Sequence, residues 1–479
     1  MTSLRNSSTP SDHMEGGASG SAGLDLDDIQ GMALRGYQFP FGRHLVLRMS
    51  DQAATRRWFG RIAARVTTVA ALENQPDHAI NVALSWQGLA ALGLPGESLQ
   101  SFPEEYRQGM AARARRLGDV GESAPEHWEA PFGRAEVHIL VLISALTDAA
   151  RGAAEQQMLA DLAAPGSPVV IYRQDVALLP DTQGIPVPVE HFGFRDGIGQ
   201  PAIEGSGVPL VRGQGVFEAG SWRPLKTGEF VLGHPDETGN LPAAPLPASL
   251  GFDGTYLVWR KLHQHVARFR EFLHQAAEND DERLLIAAKM MGRWPSGAPL
   301  ALAAASDDPS LAGEAGRNND FTYADDLKGL ACPIGAHIRR MNPRAGLTGP
   351  EASSVHRHRV LRQGLPYGAR LPPGGDDGAD RGAVIILINA DIGRQFEFVQ
   401  TVWMNDGNFA DLGDEKDPVL GNHDAAGFFT IPRPVPPRKR LTGLPAFVST
   451  RGGEYFFLPG ITALATFAVP APVDAPVER

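Results

Sequence analysis

Short apolar segments alternate along this chain with helix-like segments, and connections rich in glycine and proline separate them. Residues 138–146 and 383–388 are short runs rich in β-branched side chains, which predicts buried strands. In residues 51–66 and 264–278, apolar side chains recur at the spacing of one helical face, and Asp51 is a predicted cap. No strand–helix–strand unit repeats at a fixed period. Further predicted elements are strands at 254–260, 427–431, 446–449 and 455–458, a helix at 151–162, and a helix through Phe396, Val399 and Trp403.

This alternation predicts an α+β protein with two similar halves. The chain has 479 residues, which suits two large domains or three of average size. A connection at 205–227, rich in Gly, Pro and Ser, marks the expected boundary. We therefore expect a disordered leader, two modules and a short tail, with bounds 1–23, 24–215, 216–470 and 471–479.

Composition and charge exclude several classes of protein. The chain carries 44 basic and 55 acidic side chains, a net charge of −11, which argues against nucleic-acid binding. Cys332 is the single cysteine, so no intrachain disulfide can form. The longest apolar runs fall far short of the ~18 residues that a membrane span needs. The first residues show no apolar export signal, so we expect a cytoplasmic protein, although secretion by another route is not excluded.

Three segments carry residues suited to chemistry. Residues 193–197, Gly-Phe-Arg-Asp-Gly, place Asp196 in a tight turn, although an ordinary Asp-Gly turn has the same pattern. His337 follows small residues and precedes Arg339, Arg340 and Arg344. An imidazole on an apolar wall can ligate haem iron, and nearby arginines can bind haem propionates; a structural histidine in a basic loop is the alternative.

The third segment, residues 356–368, places Arg362 between apolar residues. Burying that guanidinium is costly unless it faces an anion or a developing negative charge. Arg357 and Arg359 are predicted to be surface residues of a basic strand. The chain has no HExxH, CxxC, GxSxG or Walker A motif, which disfavours a zinc hydrolase, a serine hydrolase and a P-loop enzyme.

Together these segments resemble the dye-decolorising peroxidase family of haem peroxidases, in its longer-chain branch. The turn with Asp196 fits the family's GxxDG signature, the segment around His337 resembles its proximal-histidine signature, and residues 361–368 resemble its distal-arginine segment. Similar stretches recur from about residue 25 to 465. The resemblance implies two ferredoxin-like modules with antiparallel sheets and helices, of the dimeric α+β barrel type, with one haem b per chain.

The resemblance also implies roles for individual residues. His337 would bind the haem iron, and Asp417 would accept the other ring N–H, although Asp414 and Glu415 lie close in sequence. Asp196 would move the proton of hydrogen peroxide, and Arg362 would stabilise the charge of the breaking O–O bond. Further residues expected at the haem are Arg339 and Arg344, at its propionates, and Phe396 and Phe398, at its distal wall.

The implied activity is reduction of hydrogen peroxide and one-electron oxidation of dyes, phenols or similar donors through a ferryl intermediate. An Asp in the distal role predicts an acidic activity optimum. Gly364 stands where some branches have a distal Asn. The alternatives are a non-catalytic haem-binding or haem-delivery protein, a haem thiolate through Cys332, and a cofactor-free interaction protein. Neither the physiological donor, nor a surface Trp or Tyr relay, nor the oligomeric state follows from the sequence, although dimers are common in such folds.

Overall fold

The computed structural model describes residues 23–424 and 426–469. The predicted tail and all but the last residue of the predicted leader lie outside the described residues. The strands are β1 (Phe41–Arg48), β2 (His78–Leu84), β3 (Ile139–Ala145), β4 (Val169–Ala177), β5 (Leu179–Pro180), β6 (Pro186–Val187), β7 (Val216–Glu218), β8 (Ser221–Arg223), β9 (Thr255–Gln264), β10 (Leu361–Tyr367), β11 (Gly382–Asn389), β12 (Gly427–Ile431), β13 (Lys439–Leu444) and β14 (Val448–Leu458).

Most helices are short. They are α1 (Gln52–Ile62), α2 (Trp86–Ala91), α3 (Gly96–Gln100), α4 (Glu104–Gln108), α5 (Ala114–Leu117), α6 (Asp148–Asp161), α7 (Ala248–Gly251), α8 (Val266–Ala276), α9 (Asp280–Met291), α10 (Pro309–Gly313), α11 (Ala315–Asn318), α12 (His337–Met341) and α13 (Ile461–Thr466). A π-helical segment follows β11 and comprises Gly393–Glu397 and Val399–Met404. Within the described ranges, no helix has the length and apolar character of a membrane span.

Eight strands form one antiparallel sheet in the order β10-β11-β9-β14-β2-β3-β1-β4. The half β2-β3-β1-β4 comes from residues 41–177, and the half β10-β11-β9-β14 from residues 255–458. A single residue pair, Phe457 with Leu84, joins β14 to β2. The edge strands β4 and β10 also pack against each other. The two halves thus enclose a barrel-like core.

Each half follows the ferredoxin-like order of strand, helix, two strands, helix and strand. In the N-terminal half these elements are β1, α1, β2, β3, α6 and β4. In the C-terminal half, α8 takes the first helix position and the π-helical segment takes the second. The predicted α+β class with two ferredoxin-like modules is confirmed, whereas the module bounds stay a prediction.

Local sequence explains several elements. Asp51 caps α1, accepting a hydrogen bond from the Ala54 N–H at 2.6 Å, as predicted. Two separate strands were predicted at 446–449 and 455–458, but Val448–Leu458 form the single strand β14, so the predicted break was wrong. Gly452 and Gly453 interrupt its apolar pattern because a Cβ there would overlap Phe132 and Met110. A register shift between Thr450 and Gly452 absorbs the irregularity.

The chemistry-bearing residues lie in three connections between elements and at the start of β10. Asp196 lies between β6 and β7, His337 begins α12 between β9 and β10, and Asp417 lies between the π-helical segment and β12. Arg362 is the second residue of β10. The sheet therefore acts as a rigid base for loops that approach it from distant parts of the chain.

Candidate functional site

A cavity of about 1110 Å³ lies on one face of the C-terminal half. Alternate residues of β9 and β11 face it, because side chains alternate across a strand. These residues are Arg260, Leu262 and Gln264 of β9 and Ala383, Ile385 and Leu387 of β11. Its volume exceeds the ~300–1,000 Å³ of most small-molecule sites, so it suits a large ligand.

His337 lines this cavity and is held by Asp417. Its Nδ1 lies 2.9 Å from Oδ2 of Asp417, and because a carboxylate accepts, Nδ1–H donates. The carboxylate of Asp417 is fully buried, and its Oδ1 accepts the N–H groups of Val419 and Leu420. Nε2 of His337 has no hydrogen-bond partner within residues 23–424 and 426–469. The ring thus presents a lone-pair nitrogen in a fixed orientation.

The His337–Asp417 pair favours charge separation. Burial lowers the pKa of His337, but the carboxylate of Asp417 outweighs it, and the net pKa is raised. Burial raises the pKa of Asp417, but His337 and the hydrogen bonds it accepts bring the pKa below its ordinary value. Asp417 therefore stays ionised and makes the imidazole electron-rich.

Arg340 fixes the position of this pair. Its fully buried guanidinium donates to the carbonyls of Trp403 and Glu415, which joins α12 to the π-helical segment and to the loop of Asp417. Glu415, one of the two alternatives to Asp417, accepts instead from the Thr430 N–H.

Asp196 and Arg362 form a second pair on the cavity wall. Nη1 of Arg362 donates to Oδ2 of Asp196 at 3.0 Å, and Nη2 donates to Oδ1. Gly193 and Gly197 have φ values of 99° and 79°, which permits the tight turn that presents Asp196. Gln200 bonds both the N–H and the carbonyl of Arg362, tying this turn to β10.

The charges of this second pair reinforce each other. Burial raises the pKa of Asp196, but Arg362 outweighs it and holds the pKa below its ordinary value. Asp196 in turn raises the pKa of Arg362. The charges of both residues also act on His337, which places the two pairs in one electrostatic environment.

The two predicted phenylalanines have different surroundings. Phe396 is 4% exposed, lines the cavity and lies 5.7 Å from the guanidinium carbon of Arg260. Phe398 does not line the cavity, and that prediction was wrong. Its ring stacks on His358 at 3.9 Å, because the wide turns of the π-helical segment direct it away from Phe396. His358 lines the cavity in its place.

Of the two arginines predicted to bind the propionates, only Arg344 lines the cavity. The Nη1 of Arg344 donates to the carbonyls of Asn319 and Phe321. Arg339 does not reach the cavity, so its predicted role was wrong. Its buried guanidinium pairs with Asp326 and donates to the Cys332 carbonyl, because it is directed into the packed interior behind α12.

Arg359 lines the cavity, so the predicted surface position of this residue was wrong. It is 7% exposed, and its guanidinium makes no hydrogen bond or ion pair with any described residue. Burial and, to a smaller extent, the charge of Arg344 together lower its pKa to about 9. The sequence signal was its position directly before the apolar pair Val360 and Leu361, the same argument that identified Arg362.

Two other expectations concern Gly364 and Cys332. A Cβ on Gly364 would lie 2.6 Å from the Val384 carbonyl oxygen, so this strand has no room for a distal Asn. Cys332 is fully buried away from the cavity lining, and burial raises the pKa of its thiol to about 11. A thiolate ligand is therefore not supported.

These residues fit haem. The cavity offers a ligating nitrogen on His337, apolar walls from Phe396 and Leu387, and a buried cation, Arg359, whose charge lacks a counter-ion among the described residues. Haem combines an iron that takes such a nitrogen, an apolar ring and anionic propionates. A buried guanidinium of this kind is costly unless an anion pairs with it.

Comparisons with known proteins agree with a haem site, because the similar proteins are peroxidases. Residues 28–170 match the family described as the DyP dimeric alpha+beta barrel domain. Peroxidase 2 of Mycetinis scorodonius is 33% identical over 93% of this chain and 88% of its own length. Dye-decolorizing peroxidase msp1 of the same organism is 30% identical over 95% of this chain and 90% of its own length. A solved dye-decolorizing peroxidase in complex with 2,6-dimethoxyphenol has a TM-score of 0.80 at 29% identity, covering 93% of this chain and 100% of that one. The chain therefore belongs to the dye-decolorising peroxidase family and is a haem-dependent peroxidase.

Proposed function

We propose that Asp196 and Arg362 activate hydrogen peroxide in this enzyme and that His337, supported by Asp417, ligates the haem iron. One cavity brings together an anchored imidazole and a bidentate carboxylate–guanidinium pair, and this juxtaposition carries the proposal. A non-catalytic haem carrier, the alternative function, needs neither member of the second pair.

His337 holds the cofactor through Nε2. Haem, when bound, supplies the redox-active iron and the two electrons that break the O–O bond of the peroxide. Asp417 holds Nδ1–H and prevents the ring from turning, and its negative charge makes His337 a stronger electron donor. The hydrogen bonds from Val419 and Leu420 keep Asp417 in place during turnover.

Asp196 moves the proton. Because its pKa is below the ordinary value, Asp196 is an ionised base at neutral and mildly acidic pH. It takes the proton from one peroxide oxygen and returns it to the other, so that the bond breaks heterolytically and water leaves. A guanidinium has five N–H donors, so Arg362 can keep Asp196 in place and also stabilise the leaving oxygen.

Arg344 and Arg359 bind the propionates. The guanidinium of Arg359 has no partner among the residues that the structure describes, and Arg344 acts on it only through repulsion. An anionic group between the two would relieve that repulsion and pair the buried charge. This assignment replaces the one predicted for Arg339.

The enzyme reduces hydrogen peroxide at the expense of an organic donor. We infer that its donors include phenols, since a related peroxidase has been solved with 2,6-dimethoxyphenol. One haem b per chain, a homodimer and a cytoplasmic location are further parts of this proposal. Pyridine haemochrome analysis and light scattering of the purified protein check the first two, and cell fractionation checks the third.

The test is stopped-flow absorption spectroscopy of the haem-loaded enzyme mixed with hydrogen peroxide. We expect a prompt Soret change in the wild type, which Asp196→Asn slows at least ~100-fold with haem binding unchanged. Asp161→Asn is the matched control, because Asp161 pairs with Arg65 in the other half and does not line the cavity.

Each outcome is informative. A wild type that binds haem and ignores peroxide supports a carrier. A wild type that reacts, with Asp196→Asn equally fast, removes Asp196 from the mechanism. Loss of haem from His337→Ala, with retention in Asp196→Asn, supports the two separate roles.

A further inference from the structure

Glu190 lies on the same cavity wall as Asp196 and has no assigned role. Its Oε2 accepts the Phe192 N–H at 2.8 Å, and its Oε1 accepts the Phe194 N–H at 2.9 Å. Its own N–H donates to the Phe194 carbonyl at 3.0 Å. The carboxylate of Glu190 thus holds together the backbone of the loop that leads to Asp196.

Gln264 connects Glu190 to the sheet. This residue ends β9, is 7% exposed, and its Nε2 donates to Oε2 of Glu190 at 2.5 Å. Its Oε1 is buried and has no hydrogen-bond partner among the described residues. A buried amide oxygen without a donor is costly, which suggests that this amide has a second arrangement.

Protonation of Glu190 would complete that second arrangement. An ionised Glu190 accepts three N–H donors, as the structure shows. If the carboxyl gains a proton, Gln264 can turn its amide so that Oε1 accepts the new O–H. Both forms of the pair are then hydrogen-bonded, and both keep the backbone of Phe192 and Phe194 engaged.

Glu190 interacts electrostatically with Asp196 and Arg362. Asp196, from the same loop, raises the pKa of Glu190, and Glu190 raises the pKa of Arg362 on β10, whereas β9 contributes the uncharged Gln264. Burial raises the pKa of Glu190 to about 7, despite the hydrogen bonds it accepts. It makes no direct hydrogen bond with Arg362, so it acts through its charge and through the loop.

We propose that Glu190 is a positioning residue that fixes the Asp196 loop and that its ionisation slows peroxide activation by opposing the negative charge that develops beside Arg362. This inference rests on the proposed roles of Asp196 and Arg362. A second carboxylate charge next to the guanidinium offsets part of its field, and the leaving oxygen is then less stabilised. Neutral Glu190 keeps the loop in place without that opposition.

The rate of the peroxide reaction should therefore fall as Glu190 ionises. With a pKa of about 7, the neutral fraction drops about tenfold between pH 6 and pH 8. We expect the second-order rate constant for hydrogen peroxide to fall over this range in the wild type. Glu190→Gln should remove this fall, because glutamine keeps the shape and cannot ionise.

Glu454→Gln is the matched control. Glu454 is also buried, its pKa is also raised by burial to about 7, and it accepts two backbone N–H groups, but it does not line the cavity. This control should keep the wild-type pH profile. Gln264→Met removes a donor that stabilises ionised Glu190, so it should move the midpoint to higher pH.

Infrared difference spectroscopy of the titrated protein gives a readout that does not depend on activity. The wild type should lose protonated-carboxyl absorption from both Glu190 and Glu454 near pH 7; the Glu190 part should be missing in Glu190→Gln and present in Glu454→Gln. An alkaline fall that persists in Glu190→Gln, or a midpoint that does not move in Gln264→Met, overturns the inference. A wild type that does not react with peroxide at any pH overturns the proposed function instead.

Discussion

Replacing Arg359 with methionine should stabilise the haem-free protein and weaken haem binding. The side chain is 7% exposed, and the described part of the chain gives its guanidinium no hydrogen bond or ion pair. Methionine has a similar reach and no charge, so Arg359→Met keeps the packing and removes only the need for an anion.

The magnitude follows from the cost of keeping this group charged. A pKa lowered from 12.5 to about 9 corresponds to about 5 kcal/mol against the charged form. Because pH 7 lies below that pKa, the guanidinium of Arg359 is charged and the cost applies in full. Solvent relaxation reduces this cost of keeping Arg359 charged. Replacing buried charged groups by apolar residues stabilises proteins by up to about 1–4 kcal/mol. We expect a gain in that range for the apo protein.

Haem binding should change in the opposite direction. A charge-assisted hydrogen bond contributes about 1.5–3 kcal/mol, so loss of Arg359 should weaken haem affinity about 10- to 100-fold. Differential scanning calorimetry of the apo protein and haem titration give the two values. Arg56→Met is the control: Arg56 is similarly buried but donates to backbone carbonyls, so its loss should lower Tm and leave haem affinity unchanged. Our reasoning is refuted if Arg359→Met destabilises the apo protein and binds haem normally.

Three further predictions concern other parts of the molecule. Asp417→Asn should raise the reduction potential of the bound haem and lower activity about 10- to 100-fold, because His337 loses its anionic partner; spectroelectrochemistry measures the potential. Since Arg362 holds the pKa of Asp196 below its ordinary 3.8, the peroxide rate should persist as the pH falls and be lost only below about that value, which a stopped-flow pH series checks. Asp51→Ala should lower the free energy of unfolding by about 1 kcal/mol without changing the peroxide rate, because α1 loses its cap; urea unfolding measures it.

Amphipathic spacing and apolar runs predicted α1, α6 and α8 and the strands β3, β9, β11 and β12, because one local pattern dominates in each. Strands β1, β2 and β4 were missed. In β1, Arg43 pairs with Glu155 of α6, and His44 accepts a hydrogen bond from Trp259 of β9 in the other half, which no local pattern reveals. These strands are therefore stabilised by contacts with residues distant in sequence.

In the candidate site, too, local motifs identify some residues, whereas the position of others depends on tertiary contacts. Asp196, His337 and Arg362 each stand in a motif of their own, and the fold brings all three to one cavity. Arg359 was missed and Arg339 misplaced, because the direction of an arginine depends on which loops pack over it. The sequence contains both arginines near apolar residues, and only the fold decides which of them faces the cavity.

The four central side chains of the site come from segments near residues 196, 337, 362 and 417, and β14, which joins the two halves of the sheet, follows all of them. During synthesis, the N-terminal half can fold first, since its strands are complete by residue 177. The cavity site cannot form at that stage, because Asp417 and β14 lie far beyond residue 177 in the chain. A truncation before residue 417 therefore leaves His337 without its carboxylate partner.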